Sequence, residues 1–239
     1  GQTIIERMLH QLQNIGIEEL IVVVGYKVKN TTKRIKELSG DFPNVNMRIV
    51  VNHQYESTGT LKSLLVGMEE IKKNDEDILV IEGDVVCEDH IIKEIVENGS
   101  NTVLGDSSKT LDDEAMKYNL DKSNYINNIS KDLSLKNVVG EVMGIIRINF
   151  NIQQKFIEES HRIYENNNYA FYEEVIDGGV IKFNVIDISP HNWTEVDFPS
   201  DYKKARQIFS GTEKIKIDNS LFEETSHSPS IFSLVKNID

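Results

Sequence analysis

Apolar positions with helical spacing alternate with short, wholly apolar runs along the first part of the chain. Apolar residues recur at every third or fourth position from Ile4 to Ile15, which predicts a helix, and Leu20 to Val24 then form a continuous apolar strand. Two further helices and two further strands follow in the same alternation, over residues 29–39 and 60–72 and over residues 45–51 and 78–81. Because apolar strands that alternate with helices form βαβ units, the pattern predicts an α/β fold: a Rossmann-like, mostly parallel sheet covered by helices on both faces.

The pattern changes after a helix predicted near residues 90–98. Three short strand candidates separated by polar turns predict a small antiparallel β meander inserted into the α/β core, at residues 102–104, 116–120 and 125–129. The core then resumes with a strand, a helix, the beginning of another helix, a strand and a last helix, over residues 144–148, 151–166, 171–176, 183–188 and 199–209. We therefore expect one domain over residues 1–210, with an insert at about 102–140, and a tail or linker over residues 211–239.

The composition narrows the class of protein. A single cysteine, Cys87, excludes an intrachain disulfide, and no apolar run approaches the roughly 18 residues of a membrane span, so we expect a cytoplasmic protein without membrane contact. The net charge of −13 disfavours nucleic acid as a partner, because such binding neutralises phosphates with Lys and Arg. If the ligand is a nucleotide, metal ions must supply much of the positive charge.

Two segments each place an aspartate just beyond a strand-like run. The first, residues 77–84, ends in Glu82-Gly83-Asp84, and the second, residues 193–201, contains Trp193, Glu195 and Asp197. Ligands of open α/β sheets bind at the carboxyl ends of the strands, and carboxylates that converge there can hold Mg²⁺ against the phosphates of a nucleotide. The two segments therefore indicate nucleotidyl transfer with Mg²⁺ as cofactor.

Read in order, the segments of roughly residues 1–209 resemble the bacterial sugar-phosphate and phosphocholine-type nucleotidyltransferases. The matching pieces are Gly25-Tyr26 after the first strand, Glu82-Gly83-Asp84, Lys117 with Ile129-Ser130-Lys131, residues 140–145, Phe171-Tyr172-Glu173-Glu174, and residues 193–197 with Asp201-Tyr202. The resemblance implies an enzyme that joins a nucleoside monophosphate to a phosphorylated small molecule and releases pyrophosphate.

The resemblance also implies roles for catalytic and metal-binding residues. Asp84 and Asp197 would bind Mg²⁺, with Glu195 as a third ligand or a neighbour of the ligands. Each has a structural alternative, because an aspartate at a strand end can cap a turn, and Asp197 can cap the helix that begins at Pro199. Lys131 would bind a phosphate, although a lysine in a polar meander is also commonly exposed to solvent.

Substrate-binding residues are predicted in two groups. Gly25, Tyr26, Thr58, Gly59, Thr60 and Gly83 would contact the nucleotide, since glycine lets backbone approach a ligand and the amides of a helix start can bind a base edge or an anion. Simple turn formation and helix capping explain these residues as well. Glu141, Glu173 and Trp193 would lie on the acceptor side, where carboxylates and an aromatic ring suit a cationic amine such as choline, although packing explains a lone tryptophan equally.

Two departures from the family bear on function. The family opens with a strand and a glycine-rich loop that wraps the triphosphate, and nothing like it precedes Gly1. The chain is therefore expected to be a fragment or to have lost that loop. Thr58-Gly59-Thr60 is more like the sugar-1-phosphate members than the choline-type enzymes, which leaves the acceptor open.

The sequence thus predicts an NTP, with CTP favoured, and a phosphorylated small molecule as partners, and leaves a homo-oligomer open. Alternatives are a sugar-1-phosphate nucleotidyltransferase, a non-catalytic nucleotide-binding or regulatory domain and, last, a metal-dependent glycosyltransferase, whose D-x-D is absent at residues 82–84. The six histidines show no H-x-x-x-H spacing, which argues against a zinc site.

Overall fold

A computed structural model describes residues 2–71, 76–209 and 232–236. The described residues form six α-helices: α1 (Ile4–Asn14), α2 (Val28–Asp41), α3 (Thr60–Glu69), α4 (Asp89–Glu97), α5 (Phe150–Asn166) and α6 (Pro199–Phe209). All six were predicted, although α3 ends before Lys72, which lies outside the described residues. The start of α1 is fixed by Thr3, whose hydroxyl accepts a hydrogen bond from the Glu6 amide while the Glu6 carboxylate accepts one from the Thr3 amide.

Eleven strands occur in the described residues. They are β1 (Glu19–Val24), β2 (Asn46–Val51), β3 (Ile78–Glu82), β4 (Val85–Cys87), β5 (Thr102–Asp106), β6 (Lys117–Leu120), β7 (Ile126–Ser130), β8 (Gly140–Ile148), β9 (Asn184–Asp187), β10 (Trp193–Glu195) and β11 (Phe232–Lys236). The main sheet has the order β2-β1-β11-β3-β8-β5-β9, with β6 and β7 attached to it through β8. Strands β4 and β10 form a separate two-stranded ribbon.

The prediction that most strands of the sheet run in the same direction is confirmed. Strands β1 and β2 are parallel, as are β5 and β9, while β11 is antiparallel to both β1 and β3, and β8 is antiparallel to both β3 and β5. Five of the seven strands along the main path, β2, β1, β3, β5 and β9, therefore point the same way. Their carboxyl ends meet at one edge of the sheet, where Val24, Glu82, Asp106 and Asp187 end their strands.

The core lies on both faces of this sheet. Along β1, Leu20, Val22 and Val24 pack into one cluster with residues of α1, α2 and α4, whereas Ile21 and Val23 pack into the other with residues of α3 and α5. These five β1 side chains are each at most 1% exposed. Burial on both faces explains why these strands have unbroken apolar runs instead of an alternating pattern.

Two differences from the sequence-based interpretation concern the pairing of strands. Residues 102–104 belong to β5, which pairs with β8 and β9 in the main sheet, so the antiparallel insertion begins after Asp106 and consists of β6, β7 and the start of β8. In the segment predicted as a tail, β11 pairs with β1 and β3. The remainder of the predicted tail, residues 211–231 and 237–239, lies outside the described residues.

None of the helices in the described part of the chain is long and apolar enough to span a membrane.

Candidate active site

The two segments singled out in the sequence are neighbours in the fold. Gly83 and Asp84 form the turn between β3 and β4, and β4 pairs antiparallel with β10, so that Val85 lies opposite Glu195. The ladder extends one residue further, because the Val196 amide donates a hydrogen bond to the Asp84 carbonyl at 3.1 Å. The ribbon therefore brings residues 82–84 and 195–197 together at the carboxyl edge of the sheet.

Five acidic side chains influence one another there: Glu82, Asp84, Glu173, Glu195 and Asp197, here called the carboxylate cluster. Burial raises the pKa of Glu82 well above its ordinary value, and the charges of Glu173, Asp84, Glu195 and Asp197 raise it further. Burial and then the charge of Asp84 raise the pKa of Glu195 in the same direction. Burial raises the pKa of Glu173 to about 7. Like charges held in a low-dielectric space favour either protonation or a bound cation.

The donor set of this cluster fits a hard divalent cation. All five side chains offer carboxylate oxygens, the ligand type that Mg²⁺ prefers, and Mg²⁺ usually takes one or two carboxylates together with substrate phosphates. The Oε2 atom of Glu173 is buried and has no hydrogen-bond partner among the described residues, which a cation or a proton would satisfy. Asp84 and Asp197 remain the predicted ligands, since the ribbon places them on adjoining strand ends.

A lysine that the sequence did not single out lies beside this cluster. The Lys109 ammonium is 2.8 Å from Oε2 of Glu141 and 3.5 Å from the centroid of the Trp193 ring. Its charge opposes the rise in the pKa of Glu195. Trp193 is fixed in turn, because its indole N–H donates to Oδ2 of Asp106 at 2.8 Å. The predicted acceptor-side residues Glu141 and Trp193 therefore already contact a cation of the chain itself.

Glu173 reaches the cluster from a short 3₁₀-helix, residues Tyr172–Val175. The sequence predicted the start of a helix at residues 171–176, and a single 3₁₀ turn is what forms. Lys131 lies nearby: its ammonium is 5.4 Å from the Phe171 ring and 3.0 Å from Oε2 of Glu114, and its charge opposes the rise in the pKa of Glu173. The meander thus brings Lys131 toward the acidic cluster, and its phosphate contact stays a prediction.

A cavity opens where β1 and β2 end. The cavity of about 440 Å³ is lined in part by Gly25, Lys27, Val51, Asn52 and Tyr55. A side chain at position 25 would meet the Tyr55 ring, since a Cβ there would lie 2.5 Å from its Cγ, so a glycine is needed for Tyr55 to pack at this strand end. Because β1 and β3 point the same way, the cavity and the carboxylate cluster lie on the same edge of the sheet.

Tyr26 lies beside that cavity, where its ring contacts the Tyr55 ring edge to face at a centroid distance of 6.5 Å. Gly25 and Tyr26 are therefore at a strand end that also forms a cavity, in keeping with the position predicted for nucleotide contacts. Their binding role itself remains a prediction.

The Thr58-Gly59-Thr60 segment begins α3, but amides at this helix start already donate hydrogen bonds to backbone carbonyls of the same chain. The Gly59 amide donates to the Asn168 carbonyl and the Leu61 amide to the Ala170 carbonyl, at 2.9 and 3.2 Å. A Cβ at Gly59 would lie 2.2 Å from the Ala170 carbonyl oxygen, so this glycine permits the close backbone approach. Thr58 and Thr60 hydrogen bond to the Gln54 carbonyl and the Tyr172 amide. These contacts fix the 3₁₀-helix that holds Glu173, and a contact with nucleotide stays a prediction.

Sequence reasoning did not single out Glu82, Asp106 or Lys109 as site residues. Glu82 and Asp106 end strands at the same edge of the sheet as Asp84, which is a signal that the sequence does contain. Lys109 follows the Asp106-Ser107-Ser108 turn and has the appearance of an ordinary surface lysine. Only the pairing of β4 with β10, which places Trp193, brings Lys109 into contact with the site.

Comparisons with solved structures confirm the fold class. The solved structure of an inositol-1-phosphate CTP transferase from T. maritima superposes with a TM-score of 0.70 at 17% identity, over 90% of this chain and 84% of that one. The CTP:phosphocholine cytidylyltransferase of Streptococcus pneumoniae superposes with a TM-score of 0.63 at 16% identity, over 86% and 85% of the two chains. The chain therefore has the fold of the nucleotidyltransferases, as the sequence resemblance implied.

Two matches are by sequence. The chain belongs to the family described as "Domain of unknown function (DUF6564)", whose model matches residues 1–208. A curated protein of Streptomyces rubellomurinus, CMP-5'-(3-aminopropyl)phosphonate synthase, is 24% identical over 223 residues, which cover 88% of this chain. The chain spans 34% of that protein's length.

Proposed function

We propose that this domain is a Mg²⁺-dependent nucleotidyltransferase that joins CMP, taken from CTP, to a small molecule with a phosphate or phosphonate group, and releases pyrophosphate. The observation that carries the proposal is the carboxylate cluster, where the β3–β4 turn and the end of β10 meet at the carboxyl edge of a nucleotidyltransferase-type sheet. The names of the T. maritima, S. pneumoniae and S. rubellomurinus proteins, each of which refers to CTP, CMP or cytidylyl transfer, support CTP as the nucleotide.

The proposed reaction is an in-line displacement. An oxygen of the acceptor's phosphate or phosphonate bonds to the α-phosphorus, the bond from that phosphorus to the bridging oxygen breaks, and pyrophosphate leaves. A phosphate or phosphonate oxygen is already anionic at neutral pH, so no general base is required. Asp84 and Asp197 would hold Mg²⁺, which when bound neutralises the charge that develops on the phosphoryl groups. The fold's contribution is to position the two anions against each other.

We infer that the acceptor carries an amine as well as a phosphonate or phosphate. Lys109 offers an ammonium for an anionic oxygen, while Glu173 and Glu141 offer carboxylates for an amine. Because Lys109 already covers the Trp193 ring, a cationic group is expected to bind the carboxylates rather than that ring face. An aminoalkylphosphonate has both charges, and the name of the S. rubellomurinus protein supports this class.

Replacing Lys109 with Met should raise the KM for the acceptor by about tenfold or more and leave the KM for CTP nearly unchanged, because one charge-assisted contact contributes on the order of 1.5–3 kcal/mol. Steady-state pyrophosphate release with each substrate varied in turn measures both constants. Lys122→Met, which removes an exposed lysine of the meander, is the matched control. Equal rises in both KM values would show that Lys109 does not select the acceptor.

Mg²⁺ should stabilise the protein more at about pH 8 than at about pH 6. The pKa values of Glu82, Glu173 and Glu195 are raised, so protons occupy the cluster at low pH and compete with the cation. Without Mg²⁺ the raised values make the folded state bind more protons than the unfolded state, and stability is lost as the pH rises through them. Because the pKa of Glu173 is about 7, the titration of Glu173 alone should lower the free energy of unfolding by about 1 kcal/mol between pH 6 and pH 8.

The unfolding midpoint at both pH values, with Mg²⁺ and with a chelator, measures this coupling. Glu173→Gln is the matched control, since it keeps the shape of the side chain and removes one titrating group. Its stability without Mg²⁺ should fall less between the two pH values. A Mg²⁺ effect that is the same at both would mean that the cation does not bind the carboxylate cluster.

The function is tested with the complete protein, Mg²⁺, the four NTPs, and a panel of phosphocholine, aminoalkylphosphonates and sugar 1-phosphates. Pyrophosphate release with CTP and an aminoalkylphosphonate is the expected result. Release only with a sugar 1-phosphate would replace the acceptor class. Nucleotide binding without release for any pair would favour a non-catalytic nucleotide-binding domain.

A further inference from the structure

A second group of ligand-type side chains lies beyond the far end of β4. Glu88 precedes α4, His90 is in its first turn, and His191 lies just before β10. The β4–β10 ribbon brings them together, and the Glu88 amide donates to the Asn192 carbonyl at 3.2 Å. Glu88, His90 and His191 are here called the His–Glu cluster. The two histidines come from distant segments of the chain, so a search for H-x-x-x-H spacing does not find them.

The distances between ligand atoms in this cluster are close to those between the ligands of a bound metal ion. Oε2 of Glu88 is 3.7 Å from Nδ1 of His90 and 3.5 Å from Nδ1 of His191. One ligand atom from each of the three residues lies within 4.8 Å of the others, and no other trio of His, Cys, Asp or Glu in the described residues does so. A tetrahedral ion with bonds of 2.0–2.1 Å separates its ligand atoms by about 3.4 Å. Side-chain movements of a few tenths of an ångström would therefore complete these two spacings.

The carboxylate of Glu88 is held in place for such a contact. The side-chain amide of Asn192 donates to its Oε1 at 2.5 Å, which leaves Oε2 directed at the histidines. Partners of this kind, which orient a ligand without touching the ion, are typical of metal sites. The side chains of Glu88, His90 and His191 are 32%, 48% and 41% exposed, so an ion can enter and water can take the remaining position.

The ligand chemistry separates this cluster from the carboxylate cluster. Two imidazoles and one carboxylate suit zinc and similar transition metals, whereas an all-carboxylate set suits Mg²⁺. We propose that Glu88, His90 and His191 form a binding site for a divalent transition metal of the zinc class, distinct from the site of nucleotidyl transfer. The ion would tie the start of α4 to the segment before β10. It would thus brace the ribbon whose opposite end holds Asp84 and Glu195.

The test is calorimetric titration of the full chain with Zn²⁺ in a large excess of Mg²⁺, together with the absorption spectrum of the Co²⁺ form. One equivalent of Zn²⁺ should bind, and Co²⁺ should give the visible bands of a low-coordinate site. His90→Ala, His191→Ala and Glu88→Gln should each weaken Zn²⁺ binding by at least about tenfold. Because these side chains are partly exposed, the variants are expected to fold, which thermal unfolding verifies.

Two matched controls locate the ion. His161→Ala removes an exposed histidine of α5, and Asp84→Asn removes a carboxylate of the other cluster. Both should bind Zn²⁺ as the unmodified protein does. Zn²⁺ binding that survives in His90→Ala and His191→Ala, that disappears in Asp84→Asn, or that is absent from the unmodified protein would overturn the proposal.

Discussion

Replacing Asp84 with Asn should lower the rate of pyrophosphate release by roughly a thousandfold while leaving the protein as stable as before, or more stable. The loss follows from the proposed role of Asp84 as a metal ligand, because charge stabilisation by a bound ion contributes several kcal/mol to the transition state and each 1.36 kcal/mol is tenfold in rate. The gain in stability follows from repulsion. The charge of Asp84 raises the pKa values of both Glu82 and Glu195, and the amide of Asn removes that charge.

This variant is informative because its activity is expected to fall while its stability does not. A residue whose role is only structural would lose activity by losing stability, whereas a cluster of like charges held for a cation is expected to relax when one charge is removed. Thermal unfolding without Mg²⁺ and initial rates with saturating substrates, measured on the same preparation, give the two quantities. Asp132→Asn, at an exposed position of the meander, is the matched control and should change neither. An Asp84→Asn enzyme with full activity would exclude Asp84 as a metal ligand.

Much of the fold could be predicted because local signals agree with it. The helical periodicity of residues 4–15 and the apolar run of residues 20–24 correspond to α1 and β1. Strand partners are a different matter, since pairing joins residues that are distant in the sequence. The apolar residues of β5 fit a meander as well as a main sheet, and only the ladders to β8 and β9 decide the question. The short apolar run of β11 likewise gives no sign of its place between β1 and β3.

The candidate site was predictable in part for the same reason. Strand-end aspartates mark Asp84 and Asp197 in the sequence, and the ribbon makes them neighbours. The resemblance singled out Glu173 as an acceptor-side residue, but the burial that raises its pKa depends on the whole fold rather than on any motif. The contact of Lys109 with Trp193 depends equally on long-range pairing. The charge balance of the site is therefore visible only in the structure.

Replacing Asp77 with Ala should lower the free energy of unfolding by about 3–5 kcal/mol, because it leaves the Arg147 guanidinium buried without its carboxylate partner. Asp77 accepts hydrogen bonds from Nε and Nη2 of Arg147 at 3.0 and 2.7 Å, and from the Asn149 side chain and the Phe150 amide. The Asp77 and Arg147 side chains are only 9% and 5% exposed. These bonds join the start of β3 to the end of β8 and the start of α5.

Urea unfolding at a fixed pH measures this effect, with the midpoint lowered and the slope unchanged if unfolding remains two-state. Glu97→Ala breaks the Lys93–Glu97 pair, whose side chains are 60% and 66% exposed, and should cost less than about 1 kcal/mol. The double variant Asp77→Ala with Arg147→Met should be less destabilised than the sum of the single variants, since no buried charge remains unpaired. A loss below about 1 kcal/mol in Asp77→Ala would mean that water reaches Arg147.

Asp77 and Asp84 lie at opposite ends of β3, and replacing them is expected to change the stability of the protein in opposite directions. At the amino end an acidic side chain is matched by a guanidinium and two further donors, so its removal destabilises the protein. At the carboxyl end the acidic side chains repel one another, and removing one is expected to relieve the folded state. If both measurements agree with these directions, the strand's stability comes from its paired end, and its other end is kept acidic for a ligand.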